Sequence, residues 1–167
     1  RSCLVGSEMC IRDRIRCIFL LIFINIPLYN HMNDLVQAEL KKIFNGRFST
    51  SESTRANYAR GEDTYDPILS KAVVFPETNE EVSKILSLCN QHKIPVVPFG
   101  TGTSLEGNVV GNEKGITISL EKMNKILSVN AEDFDCRVQA CVTKEQLNEY
   151  LREDGVFFPI DPGANAA

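Results

Sequence analysis

Lys93-Ile-Pro-Val-Val-Pro-Phe-Gly-Thr-Gly-Thr-Ser-Leu-Glu-Gly107 joins a short apolar run to a cluster of glycines and hydroxyls. Lys93 to Phe99 predicts a buried strand. Gly100-Thr101-Gly102-Thr103-Ser104 predicts a loop whose backbone can come very close to a ligand. Glycine has no Cβ, so it admits positive φ and close approach. Successive backbone N–H groups in such a loop form an anion-binding concavity. The natural anion for it is a nucleotide pyrophosphate.

Two phosphate-binding patterns fail on spacing. A dinucleotide-binding turn needs G-x-G-x-x-G followed by a helix. Gly100 and Gly102 fit, but Leu105 stands where the third glycine belongs. Gly107-Asn-Val-Val-Gly111-Asn-Glu-Lys-Gly115 cannot begin a helix. The G-x-x-x-x-G-K-[ST] loop requires a lysine after its second glycine. Gly102 and Gly107 have the spacing, but Asn108 and Val109 follow, which argues against ATP chemistry.

Upstream of the loop, Asn33 to Phe44 predicts an amphipathic helix stopped by Asn45-Gly46. Ser49 to Pro67 is polar and turn-rich and predicts an irregular excursion. Ala72 to Phe75 predicts a short strand. Thr78-Asn-Glu-Glu81 is a capping box that opens a helix with Val82, Ile85, Leu86 and Cys89 on one face. That helix ends near Gln91. Strand, helix and strand make a βαβ unit, which delivers the glycine loop at the carboxyl end of its second strand.

Downstream, Ile116 to Leu120 predicts a strand, Lys122-Met123-Asn124 a turn of helix, and Ile126 to Val129 another strand. Phe134 to Val142 alternates, with Phe134, Cys136, Val138, Ala140 and Val142 on one face, as in a half-buried strand. Thr143 caps a further helix with Gln146 in the capping-box position. Val142 and Leu147 are spaced as a hydrophobic staple. Leu147, Tyr150 and Leu151 form its apolar face, and Gly155 ends it.

The 167 residues suit one domain, and 43% hydrophobic residues suffice for a core. A net charge of −4 argues against a nucleic-acid partner. Residues 1–31 carry four Lys/Arg against two Asp/Glu, so the acidity belongs to the remainder. Cys3, Cys10 and Cys17 fall in that first stretch. Cys89, Cys136 and Cys141 lack metal or C-x-x-C spacing and read as reduced thiols, favouring a reducing compartment. Cys17 to Ile24 is apolar but far short of the roughly 20 residues a membrane span needs. Arg12, Arg14 and Arg16 precede it as in a signal peptide, without a small-residue cleavage site after it. Val5-Gly-Ser-Glu-Met-Cys-Ile-Arg-Asp-Arg14 resembles translated sequencing-adapter sequence. Residues 1–31 are therefore expected to be a leader foreign to the native protein, with Met32 as the start and 32–167 as the domain. A membrane or organelle-targeting segment is the alternative.

Pro98-Phe-Gly-Thr-Gly-Thr-Ser-Leu-Glu-Gly107 resembles the pyrophosphate loop of FAD-linked oxidases and dehydrogenases with a PCMH-type (vanillyl-alcohol-oxidase-like) domain. Within that group it is most similar to the branch that holds D-lactate dehydrogenase (cytochrome) and the glycolate oxidase subunits. Phe157-Phe-Pro-Ile-Asp161-Pro-Gly163-Ala-Asn-Ala resembles the next flavin-contacting segment. Arg47-Phe-Ser-Thr-Ser, Arg60-Gly-Glu-Asp and Ala72-Val-Val-Phe-Pro76 resemble the entry stretch, in the same order. The resemblance implies an α+β FAD-binding domain, incomplete at its C-terminal end.

It further implies that Phe99, Gly100, Thr101, Gly102, Thr103, Ser104 and Gly107 contact the cofactor, joined by Pro159, Asp161 and Gly163. Some relatives attach FAD covalently through a histidine in this loop. Thr103 stands at the matching position, which implies non-covalent FAD. No residue qualifies as a catalytic acid or base, and no metal-ligand cluster occurs. Glu106 reads as solvated, as do His31 and His92.

The implied reaction is dehydrogenation of a D-2-hydroxy acid, most like D-lactate, with a cytochrome or quinone as acceptor. The implied location is cytoplasmic or peripheral to an inner membrane, mitochondrial in a eukaryote. Glycolate oxidase, D-2-hydroxyglutarate dehydrogenase and the non-redox alkylglycerone-phosphate synthases share the architecture. A truncated, non-catalytic nucleotide-binding module is a further alternative.

Overall fold

The computed structural model describes residues 34–160. The proposed leader therefore lies outside the described residues, as do His31, Asp161 and Gly163. Helix α1 spans 34–43 and is followed by Gly46 in the left-handed region at φ +77°. Strand β1 is Phe48–Ser49 and helix α2 is Glu52–Asn57. β1 ends at the start of the stretch from Ser49 to Pro67 expected to be irregular, and α2 lies inside it. Ser51 explains the helix, since its hydroxyl caps Thr54 N–H.

Strand β2 is Ala72–Val74, helix α3 is Asn79–Gln91 and strand β3 is Val96–Phe99. Strand β4 is Ile116–Ser119. These strands form one sheet in the order β1-β2-β4-β3. β1 runs antiparallel to β2, while β2 and β3 both run parallel to β4. The two strands of the βαβ unit are thus separated by β4. All four residues of β4 are buried, as expected for a central strand.

β3 is an edge strand, which corrects the expectation of a buried one. Val96 and Val97 are half-buried and Pro98 is exposed. Proline cannot donate to a second neighbour, so an edge is where it fits. Lys93 precedes the strand at φ +56°, because the chain must reverse out of α3. Ile94 then buries itself in the core.

Helices α1 and α3 pack on one face of the sheet. Val36, Leu40 and Phe44 meet Ile85, Cys89 and Ile94 over Val74, Ile116 and Ile118. Leu88 packs against this core, whereas Leu86, predicted to be inside, is 45% exposed. Burial pushes the Cys89 thiol up to about 11. Cys89, Cys136 and Cys141 are all free.

At the start of α3 the Thr78 hydroxyl accepts from Glu81 N–H. Glu81 Oε2 accepts from Glu77 N–H at 2.7 Å. The same carboxylate takes a two-pronged ion pair from Arg47, at 2.7 and 2.6 Å. That hydrogen bond is the first cause holding the Glu81 carboxyl down to about 2. A depressed carboxylate contributes stability above its unfolded pKa and loses it as pH falls through the folded value. Glu81→Gln is expected to cost about 1–3 kcal/mol near neutrality. The difference in melting temperature from wild type should narrow between pH 4.5 and about 2.

The second unit is smaller. Strands β5 (Ile126–Asn130) and β6 (Asp135–Val138) form an antiparallel pair. Helix α4 (Lys144–Leu151) covers it, with Val142, Leu147 and Leu151 packed against Ile126, Val129 and Cys136. β6 is shorter than predicted at both ends: Phe134 adopts φ +54° in the preceding turn and is 85% exposed, and the strand stops at Val138. Tyr150 is also exposed rather than buried. Lys122-Met123-Asn124 is a turn closed by Met123 N–H on Leu120 O, with no helix. The Thr143 hydroxyl caps Gln146 N–H, but the Gln146 amide donates to Asn124 O instead of closing a capping box. Gly155 ends the helix at φ +70°.

Candidate functional site

β2, β4 and β3 run parallel, so their carboxyl ends share one edge of the sheet. Phe99 closes β3 there, and its carbonyl accepts from Leu120 N–H at 2.9 Å. The next residue, Gly100, has no atom within 4 Å of the position a Cβ would take. Open space therefore begins where the strand ends. Thr101 is exposed, while Thr103 and Ser104 are half-buried. The Thr101 and Thr103 hydroxyls stand 3.4 Å apart on the same turn.

Gly102 adopts φ +77°, and a Cβ there would meet Phe99 Cζ at 2.9 Å. Backbone conformation and packing both exclude a side chain at this position. Gly107 adopts φ +71° beneath the Tyr65 ring, which a Cβ would meet at 2.8 Å. The outer flank of the loop borders an open cavity of about 490 Å³ lined by Tyr65, Asp66, Ile68, Glu106, Gly107 and Val110. Glu106 is exposed, in keeping with a solvated role.

The loop is supported by the segment that precedes β2. Ser104 O lies against Gly61 and Ile68 O against Gly111, while Pro95 O, just before β3, lies against Gly115. Ser70 ties the far end down. Its hydroxyl accepts from Asn112 N–H at 3.1 Å and from the Thr117 hydroxyl at 2.8 Å. Arg55 of α2 donates to Ser70 O at 3.1 Å. The stretch expected to be an irregular excursion is thus the backing of the glycine loop.

The structure brings Phe99 through Ser104 together and places Gly107 on the same loop. Pro159 belongs to the second unit. It is exposed and lines a separate cavity of about 280 Å³ with Phe134, Cys136, Leu151 and Val156. His92 caps the end of α3, away from the loop in the chain.

Tyr58, the residue that ends α2, escaped the reading of the sequence. Its ring meets Phe75 edge-on at 5.3 Å and Phe99 at 5.1 Å. Its hydroxyl donates to Glu121 Oε2 at 2.5 Å. Burial first, then the Glu121 carboxylate, pushes the Tyr58 phenol up to about 12. It is a neutral donor at physiological pH. An aromatic residue shortly after a polar cap was the only sequence signal for it.

Among the described residues no group of three or more His, Cys, Asp or Glu is placed to hold a metal ion. No helix among them is long and apolar enough to cross a membrane.

A glycine loop with positive φ, open at the carboxyl edge of a parallel sheet and rimmed by hydroxyls, suits a nucleotide pyrophosphate. The chain belongs to the FAD-binding domain family, whose model matches residues 70–167. FAD is the cofactor of this domain.

Over 119 residues the chain is 41% identical to the probable mitochondrial D-lactate dehydrogenase of Danio rerio, covering 71% of this chain and 24% of that protein. It is 36% identical over 132 residues to the mitochondrial D-lactate dehydrogenase [cytochrome] of Arabidopsis thaliana, covering 78% and 23%. The chain thus spans about a quarter of the length of these relatives. A solved alkyldihydroxyacetonephosphate synthase superposes with a TM-score of 0.72 at 22% identity, covering 79% of this chain and 29% of that one. The fold is the PCMH-type α+β FAD-binding fold.

The residues present fit FAD. Gly100 leaves open space where β3 ends, and Gly102 supplies the positive φ that turns the loop beside it. The stretch Gly100 to Gly107 contains no histidine, cysteine or tyrosine to form a bond to the flavin.

Proposed function

We propose that this chain is the FAD-binding part of a flavin-dependent D-2-hydroxy-acid dehydrogenase that oxidises D-lactate to pyruvate. The loop geometry supports the cofactor half of this reading, above all the open space at Gly100 beside the positive-φ turn at Gly102. Similarity to D-lactate dehydrogenases supports the substrate half.

In this reading Phe99, Gly100, Thr101, Gly102, Thr103, Ser104 and Gly107 bind the pyrophosphate side of FAD. Backbone N–H groups supply most of the donors, and the Thr101, Thr103 and Ser104 hydroxyls add more. Pro159, Asp161 and Gly163 approach the cofactor from the second unit. Bound FAD supplies the two-electron redox chemistry, and the protein supplies position and electrostatics. A cytochrome or quinone takes the electrons, in the cytoplasm or at the surface of an inner membrane. Residues 32–167 form the domain, and residues 1–31 are foreign to it. Glycolate and D-2-hydroxyglutarate are the competing substrates. The groups that choose among them belong to the three quarters of the relatives that this chain does not span.

Anaerobic addition of D-lactate to the intact flavoprotein should bleach the flavin absorbance, and L-lactate should not. Bleaching by glycolate or D-2-hydroxyglutarate alone would refute the substrate assignment. Acid precipitation should release FAD to the supernatant, because Thr103 offers no nucleophile for attachment. Flavin retained in the pellet would overturn non-covalent binding.

A further inference from the structure

We propose that Tyr58 is a positioning residue for the FAD loop, acting through Phe99. The inference rests on the reading of Gly100–Ser104 as the FAD cradle.

Tyr58 is tied to the ends of all three parallel strands. Phe75 directly follows β2, Phe99 ends β3, and Glu121 lies two residues beyond β4. Tyr58 meets the first two with its ring and the third with its hydroxyl. β2 and β3 are not neighbours in the sheet, so Tyr58 bridges them across the end of β4. α2 itself buries no residue, so it contributes little to the core. Its placement sets this ring, and the Arg55 guanidinium that donates to Ser70 O.

Phe99 transmits the contact. Its ring meets Tyr58 at 76°. Its Cζ stands 2.9 Å from where a Gly102 Cβ would be. The Phe99 ring thus fills the space a Gly102 side chain would need, and the Tyr58 ring packs against it. Donors already aimed at the pyrophosphate bind it more tightly than donors that must first be ordered. Tyr58 needs no contact with FAD to matter.

The test is FAD titration of the apo form of the intact flavoprotein, followed by quenching of flavin fluorescence, with ADP titrated in parallel. Tyr58→Leu should weaken FAD by on the order of tenfold, as expected for loss of one ring contact that orders a binding loop. ADP should lose a similar factor. Tyr58→Phe keeps the ring and should stay within about threefold of wild type. The double variant Tyr58→Leu with Phe99→Leu should bind no more weakly than Phe99→Leu alone, because coupled sites are not additive.

Effects that multiply in the double variant would overturn the proposal. So would a Tyr58→Leu protein that melts lower yet binds FAD with wild-type affinity, since that is a structural role only. If Tyr58→Leu does not fold, Tyr58→Met carries the same expectations. Wild-type protein that fails to bind FAD would instead refute the cradle itself.

Discussion

Gly102→Val yields a colourless protein that does not retain flavin. Two independent barriers act at this position. The backbone is at φ +77°, where an L residue costs roughly 1–2 kcal/mol and a β-branched one more. The new Cβ would also press on Phe99 Cζ at 2.9 Å. Phe99 cannot yield easily, because the Tyr58 ring packs edge-on against it. The loop backbone must therefore move, and the N–H groups proposed to hold the pyrophosphate move with it. Hydrogen bonds to charged groups are worth about 1.5–3 kcal/mol each. Losing two of them weakens binding by roughly a hundredfold to ten-thousandfold. The check is the flavin absorbance of purified variant, read beside the melting temperature of its apo form. A yellow, holo-like product would overturn the assignment of the loop.

Gly111→Ala has the largest expected effect on folding. A Cβ at Gly111 would stand 1.9 Å from Ile68 O and 3.0 Å from Ser70 N. Both are backbone atoms, so no side-chain rotation relieves the clash. Gly111 is buried, and the two segments that meet there are held in place. Ser70 bonds Asn112 on one side and Thr117 of β4 on the other. Separating the two segments to admit a methyl group breaks that hub and leaves buried polar atoms without partners. The cost should be at least about 3 kcal/mol, at the upper end for overpacking. For a domain of this size that lowers the melting temperature by roughly 10 °C. Differential scanning calorimetry of the apo protein measures it. A melting temperature within a degree or two of wild type would contradict the close packing of 60–71 against the loop.

The glycine loop and both capped helices were legible in the sequence because each rests on local chemistry. Thr78 and Thr143 announce helix starts whatever surrounds them, and the hydroxyls of both accept the expected N–H. Gly46 and Gly155 announce stops for the same reason, since both sit at positive φ. What stayed hidden depends on contacts distant in sequence. β3 looked buried because it is apolar, but apolarity does not reveal that β4 takes the central place. Leu86 and Leu88 are both apolar on α3, and only the position of the sheet chooses Leu88. Phe134 fits an alternating strand until the turn between β5 and β6 claims it.

The site shows the same split. That Gly100 to Ser104 form a loop could be read from residue type alone. Their support from Arg55, Tyr58, Gly61 and Ser70 could not, because that stretch is polar and carries no period. Ser70 looks like any loop serine in the sequence, yet it is 2% exposed and joins the loop to β4. Gly61 lies in the segment likened to the family's entry stretch, but only the fold shows it lying against Ser104 O.

The central claim is that the loop after β3 holds FAD by its pyrophosphate. Thermal unfolding of the apo protein with added nucleotides tests it most directly. A ligand that binds only the folded state stabilises it by about 2.7 kcal/mol at a hundredfold excess over Kd. FAD should therefore raise the melting temperature by several degrees, ADP by less, and FMN, which lacks the pyrophosphate and adenosine, least of all. An unchanged melting temperature with FAD, or an equal rise with FMN, would contradict the account.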